Sequence, residues 1–220
     1  MFLKKPKFWD NEEYSYLNIF FLPFTIIVSF INWIKNFQTK KKFNIKTVCI
    51  GNIYVGGTGK TPLCIETFHI LKKLGFRPVF IKKFYPNQKD EIKLLSKNGP
   101  VISLNSRKKS LEMAETNKYD FAIIDDGLQD KTIEYDLKIL CFDKKNFIGN
   151  GKLIPAGPLR ERLNAVKNCH LVFFNGPHST KNKFKSLLKK NNKNIQIFET
   201  EPKLSTLKDL KKKNTYVMFS

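Results

Sequence analysis

Short apolar runs recur along the chain, separated by turn residues and by stretches with helical spacing. Val48 to Ile50, Pro78 to Ile81, Val101 to Leu104, Phe121 to Ile124, Leu137 to Phe142, His170 to Phe174 and Ile195 to Glu199 read as strands, and Thr215 to Phe219 as the start of another. Between them lie helical patterns. Leu63, Thr67, Ile70, Leu71 and Leu74 fall on one helical face, with Pro62 near the start and Gly75 as a stop. A helical piece is expected around Asp90 to Lys97, a helix over Ser106 to Asn117, and a solvated Lys-rich helix within Thr180 to Lys193. Strand alternating with helix predicts an α/β fold: a mainly parallel sheet with helices on both faces. The sequence shows no internal repeat.

A different pattern opens the chain. Tyr14 to Ile34 carries no charged residue, and Leu17 to Ile31 is apolar apart from Asn18, Pro23, Thr25 and Ser29. A helix of about 20 residues spans a bilayer, and Tyr14, Tyr16 and Trp33 stand where aromatic side chains favour the interface. Pro23, Asn18 and Asn32 weaken it as a span. The expectation is a membrane-embedded helix, either crossing the bilayer or lying in its surface. The competing readings are a signal peptide, which lacks a small-residue cleavage site after Trp33, and a buried core helix. The chain then divides as 1–38, a membrane-associated helix; 39–200, a nucleotide-binding α/β domain; and 201–220, the start of an incomplete C-terminal lobe.

The candidate chemistry sits where the first strand meets the first helix of that domain. Val55-Gly56-Gly57-Thr58-Gly59-Lys60-Thr61-Pro62 has the layout of a phosphate-binding P-loop. The glycines let backbone N–H groups turn against phosphate oxygens, and the helix that follows directs its positive end to the same place. Lys60 would reach the β- and γ-phosphates and the Thr61 hydroxyl would ligate Mg2+. The general pattern calls for Gly where Tyr54 stands. Further on, Phe121-Ala122-Ile123-Ile124 ends in Asp125-Asp126-Gly127-Leu128-Gln129, which puts two carboxylates at the carboxyl edge of the sheet. Ligands bind at that edge in open α/β sheets, and a P-loop site needs an Asp there for Mg2+. Alone, the segment would read as an Asp-Gly turn.

Composition adjusts this picture little. The formal net charge of +21 invites a nucleic-acid partner, yet only four of the 40 basic residues are Arg, the side chain that forks and stacks onto phosphates and bases. A bias toward Lys, Asn, Ile and Phe accounts for the charge, so no nucleic acid is expected; the excess favours an anionic membrane surface. Cys49, Cys64, Cys141 and Cys169 form no Cys-x-x-Cys pair and read as small buried hydrophobes. His69, His170 and His178 show no metal-ligand spacing.

Four pieces, in order, resemble the tetraacyldisaccharide 4'-kinases of lipid A biosynthesis. They are the N-terminal apolar helix; Val55 to Pro62; Asp125 to Gln129; and Gly149-Asn150-Gly151-Lys152-Leu153-Ile154-Pro155-Ala156-Gly157-Pro158-Leu159-Arg160-Glu161. The last, long and dense in Gly and Pro, is the most specific, and the family also lacks the first P-loop glycine. The resemblance implies a kinase using ATP and Mg2+ at the cytoplasmic face of the bacterial inner membrane. Its substrate would be an acylated glucosamine disaccharide 1-phosphate, phosphorylated at the 4'-hydroxyl to lipid IVA, and no obligate protein partner is implied. Carried over by position, Lys60 and Thr61 match the phosphate and Mg2+ ligands, Asp125 and Asp126 the acidic pair near the metal, and Gln129 the end of that motif. Arg160 and Glu161 close the long loop, at an expected helix start, as further site residues. Asp90 is the candidate catalytic base, although only Asp90 and Glu91 match the family there. Lys82-Lys83-Phe84-Tyr85 stands in place of a usual Ser-Arg-Gly-Tyr, and Asp130 where His often follows the Gln. The family continues beyond this length into a C-terminal lobe carrying a His thought to pair with the base. The alternatives left open are a membrane-associated P-loop ATPase and a basic nucleotide- or nucleic-acid-binding module without catalysis.

Overall fold

The structure, a computed structural model, describes residues 6–9, 16–176 and 182–200. The expected strand from Thr215 and the C-terminal segment 201–220 lie outside the described residues. A 20-residue helix, α1 (Tyr16–Lys35), precedes the sheet. Then follow β1 (Lys46–Gly51), α2 (Lys60–Lys73), β2 (Pro78–Lys82), α3 (Lys89–Ser96), β3 (Val101–Ile102), α4 (Arg107–Thr116), β4 (Phe121–Asp125), β5 (Leu137–Asp143), β6 (Leu171–Asn175), α5 (Asn182–Asn191) and β7 (Gln196–Thr200).

The seven strands form one sheet in the order β3-β2-β4-β1-β5-β6-β7, and every pairing is parallel. From β1 the chain first builds one side of the sheet, returns as β4 to lie against β1, then builds the other side from β5. The strand order therefore reverses at β1, and the crevice beyond its carboxyl end is where such sheets bind ligands.

The central strands are buried on both sides, which is why they read as unbroken apolar runs. Alternate residues feed two cores. Val48, Ile50, Phe80, Ile123, Ile139 and Cys141 pack with Cys64 and Phe68 of α2 and Leu95 of α3. Cys49, Val79, Ile81, Ile124, Leu140 and Phe142 pack with Leu111 and Ala114 of α4 and Leu188 of α5. The expected helices on both faces are thus present, and Ser106 stands at the N-cap position of α4 without a side-chain cap hydrogen bond. All four thiols are free and buried. Burial pushes the Cys141 thiol up to about 12 and the Cys169 thiol up to about 11, so they stay protonated and inert.

Three expectations change. The most buried residues of α2 are Cys64 and Phe68; of the expected face Leu63 and Leu71 pack partly against the same core, while Ile70 and Leu74 are 50% and 66% exposed. Phe68 turns the helix inward by stacking on Phe80 with ring centroids 4.6 Å apart. No α-helix begins after Arg160-Glu161; a 3₁₀ segment, Leu163–Asn168, follows instead. Finally, among the described residues no helix is long and apolar enough to cross a membrane. The helix α1 exists, but Pro23, Asn32 and its Ser and Thr residues dilute its apolar character. A spanning N-terminal membrane helix is therefore not supported.

Candidate active site

The P-loop occupies the turn from β1 into α2. Gly59 caps α2 in the left-handed region (φ 80°, ψ 19°), and no side chain caps the first turn. Its leading N–H groups are free to meet an anion. A Cβ on Gly59 would lie 2.2 Å from Asn175 Nδ2, so this position has no room for a side chain. Asn52, fully buried, donates from Nδ2 to Gly56 O (3.2 Å) and to Thr58 Oγ1 (3.0 Å), and so fixes the shape of the turn. Pro62 is the third residue of α2, where the missing N–H costs no helical bond. Tyr54 is buried and bridges to Leu159. Its position serves packing against the long loop, which is why glycine is not required there.

The long loop is laid along the P-loop. Val55 N donates to Pro158 O (2.9 Å) and Arg160 N to Ile53 O (2.7 Å). Inside the loop, Gly157 passes so close to Lys152 O that an added Cβ would sit 2.4 Å from it. Phe147 anchors the loop's start by stacking on Phe184 (4.1 Å) and packing on Phe142 (4.8 Å). At the loop's far end Asn32 of α1 donates to Arg160 O (2.8 Å), so the N-terminal helix touches the site.

This path delivers Arg160 to the acidic pair. Arg160 Nη1 donates to both Asp126 oxygens (3.2 and 3.0 Å) and to Gln129 Oε1 (3.3 Å), while Nη2 donates to Asn52 Oδ1 (2.8 Å). Gln129 Nε2 closes the ring on Asn52 O (2.8 Å). Lys60 Nζ approaches Asp126 at 4.0 Å. Burial opposes ionisation of Asp126, but Lys60 and Arg160 outweigh it and hold the carboxyl below its ordinary value. Asp126 adopts φ 58°, and Arg107 Nη2 donates to its carbonyl at 2.6 Å.

Asp125 lies one step deeper, fully buried at the end of β4. It stands in register with Ile50 of β1 on one side and Lys82 of β2 on the other. Its Oδ2 faces Thr61 Oγ1 at 3.5 Å and accepts from Lys82 Nζ at 2.8 Å, while Oδ1 is buried with no partner. Lys82 also donates to Glu91 Oε2. Burial works against the Lys82 charge, and Asp125 and Glu91 overcome it, raising its pKa.

The predicted residues thus fall into two groups. Gly59, Lys60, Thr61, Asp125, Asp126, Gln129 and Arg160 converge, with Val55, Gly56, Gly57 and Thr58 forming the turn. Glu161 points away and pairs with Lys131 at 2.8 Å. Asp90 sits exposed in the first turn of α3 and makes no hydrogen bond or ion pair among the described residues; its neighbour Glu91 does. Sequence reasoning missed Asn52, Arg107, Asn175 and Lys82. For Lys82 a signal existed: a lysine ends an otherwise apolar strand.

Among the described residues no group of three or more His, Cys, Asp or Glu side chains could hold a metal by itself. Mg2+ does not require one, since it takes a few hard oxygens and completes its shell with water and phosphate. Asp125, with Oδ1 unpartnered and Oδ2 3.5 Å from the Thr61 hydroxyl, is a fitting donor set together with that hydroxyl.

A parallel sheet whose order reverses at β1, a glycine-capped helix N-terminus with Lys-Thr, and a buried strand-end Asp beside that Thr define a P-loop nucleotide-binding protein. The family model for tetraacyldisaccharide-1-P 4'-kinase matches residues 15–218, and the chain belongs to that family. It is 47% identical to the tetraacyldisaccharide 4'-kinase of Pelagibacter ubique over all of its length and 70% of the relative's. It is 33% identical to that of Rickettsia bellii over 192 residues, 79% of this chain and 59% of the relative. In three dimensions it resembles the "apo" form of LpxK from Aquifex aeolicus in complex with ATP, with a TM-score of 0.63 at 19% identity, covering 92% of this chain and 86% of that one. At that identity the likeness concerns the fold.

Proposed function

We propose that this chain provides the ATP–Mg2+ site of a kinase. The kinase moves the γ-phosphate of ATP to the 4'-hydroxyl of a tetraacylated glucosamine disaccharide 1-phosphate. The observation that carries the reading is the meeting of Arg160, from the long Gly- and Pro-rich loop, with Lys60 on Asp126 beside the uncapped N-terminus of α2. Family membership and the relatives' names support the acceptor.

Phosphoryl transfer is mostly positioning and charge stabilisation. In this site the N–H groups of the P-loop and the start of α2 hold the β- and γ-phosphates. Lys60, only 4.0 Å from Asp126, is close enough to exchange that partner for phosphate oxygens. Arg160 keeps its fork on Asp126 and Gln129 and presents its guanidinium edge to the developing charge. The Thr61 hydroxyl and Asp125 would hold Mg2+, directly or through water, and the metal would supply neutralisation of the β,γ-oxygens. Asp90, exposed at the head of α3, is the proposed acceptor of the sugar hydroxyl proton. An Asp90→Asn variant that binds ATP normally but turns over slowly supports that role; one that loses ATP affinity assigns Asp90 to the nucleotide site instead.

The acyl chains of such an acceptor remain in a bilayer. The exposed apolar side of α1, with Ile26 at 70%, Phe30 at 57% and Trp33 at 56% exposure, suits a helix lying in the membrane surface. The membrane proposed is the bacterial inner membrane, at its cytoplasmic face. The test is transfer of labelled γ-phosphate to the tetraacyl disaccharide 1-phosphate in detergent micelles. Label in the lipid that is lost with Lys60→Ala supports the kinase. Free phosphate without any labelled lipid points to an ATPase.

A further inference from the structure

The lysine buried against Asp125 is not the P-loop lysine but Lys82. It ends β2, is 2% exposed, and lies across the sheet from the fully buried Asp125. Its ammonium donates to Asp125 Oδ2, the same oxygen that Thr61 Oγ1 faces at 3.5 Å. Lys60, by contrast, leans toward Asp126. The positive charge at the proposed metal carboxylate therefore comes from a strand, not from the P-loop. Lys82 has a second seat as well, on Glu91 in the first turn of α3, whose side chain is 46% exposed.

We infer that Lys82 is a resident counter-cation of the Mg2+ site: it holds Asp125 when no metal is bound, competes with Mg2+ for that carboxylate, and retires onto Glu91 when the metal arrives. The inference rests on the nucleotide–Mg2+ reading of the site. Its physical basis is direct. A buried carboxylate without a cation is strongly disfavoured, so the metal-free site needs Lys82. A second cation beside that oxygen repels the first, so the same lysine opposes the metal. Glu91 makes the exchange possible, because Lys82 is left paired in either state. Lys82 is thus a positioning residue that links metal occupancy to the α3 turn carrying Asp90.

The test is a Mg2+ titration of the full chain with a fluorescent, non-hydrolysable ATP analogue, read as the Mg2+ concentration at half-saturation. Lys82→Met should lower that concentration by about tenfold, within the usual range for coupled sites, while reducing the thermal stability of the metal-free protein. Glu91→Gln should raise it several-fold, and this effect should vanish in the Lys82→Met background, because Glu91 acts through the lysine. An unchanged or higher Mg2+ requirement in Lys82→Met overturns the inference. So does a Glu91→Gln effect that persists without the lysine, which would make Glu91 a metal ligand in its own right. If Lys82→Met does not fold, Glu91→Gln alone decides: a requirement equal to that of the unaltered protein overturns the inference. Analogue binding by the unaltered protein that ignores Mg2+ altogether would instead overturn the nucleotide–Mg2+ reading beneath it.

Discussion

At the scale of single residues the site depends on a few positions with little freedom. Gly59 holds φ 80° against Asn175. Gly59→Ala should cost about 1–2 kcal/mol of stability from the left-handed backbone alone, and nucleotide affinity should fall further because the loop must shift. Comparing urea midpoints with analogue binding for this variant checks both. Arg160 donates through both Nη1 and Nη2 and so ties Asp126, Gln129 and Asn52 together. Lysine cannot reproduce that fork, so Arg160→Lys and Arg160→Ala should both lower turnover by about a hundredfold, the usual loss for one preorganised charge contact. A lysine variant with near-normal transfer of labelled phosphate would show that only the charge matters. The P-loop and the acidic pair were legible because their residue types and spacing report chemistry directly. Lys82 was legible only as a lysine ending an apolar strand; nothing in the sequence says that the end of β2 lies against the end of β4.

At the scale of elements, α1 and β5 make separate claims. The hydrogen bond from Asn32 of α1 to the Arg160 carbonyl ties the proposed membrane helix to the loop that delivers the guanidinium. Asn32→Ala should lower turnover several-fold with vesicle binding intact, whereas Phe30→Ser with Trp33→Ser should weaken sedimentation with anionic vesicles and leave analogue binding unchanged. Sedimentation and transfer assays on the two variants separate anchoring from alignment. β5 is fastened to β1 at Asp136, which accepts from Thr47 N (2.8 Å) and Thr47 Oγ1 (2.7 Å). Burial raises the Asp136 pKa, but the Thr47 bonds and nearby Lys46 and Lys42 lower it more, so the net shift is downward. A depressed carboxylate pKa contributes stability above its unfolded value of about 3.9, and that contribution fades as pH falls through the lower folded value. Asp136→Asn should therefore be less stable than the unaltered protein at neutral pH, with the difference shrinking below about pH 4. Melting curves across that range give the answer. The α2 face was misread in part, at Ile70 and Leu74, for a reason of the same scale. Helical periodicity offered overlapping apolar stripes, and the stack of Phe68 on Phe80 chose between them.

At the scale of the whole molecule, the ring cluster of Phe142, Phe147, Phe174 and Phe184 joins the sheet, the long loop and α5. Phe147 is 1% exposed, so Phe147→Ala should cost about 3–5 kcal/mol and lower the melting temperature by roughly 10 °C for a chain of this size. Turnover should fall as well, since the loop that carries Arg160 starts there; a destabilised variant with full activity would show that the loop's far end is held independently.

The sequence by itself determined the class of fold, the P-loop, the Asp125-Asp126 edge and the family. Each of these is written in local order, as apolar runs, glycine spacing and a long unusual loop, and each holds wherever the segments end up in space. Tertiary structure alone decided which charges meet. It placed Arg160 on Asp126 across 34 residues of chain and Lys82 on Asp125 across 43. It also turned Glu161 away to Lys131 and left Asp90 in solvent while drawing Glu91 inward. Those pairings follow from strand order and register, which non-local burial selects and no stretch of sequence encodes on its own.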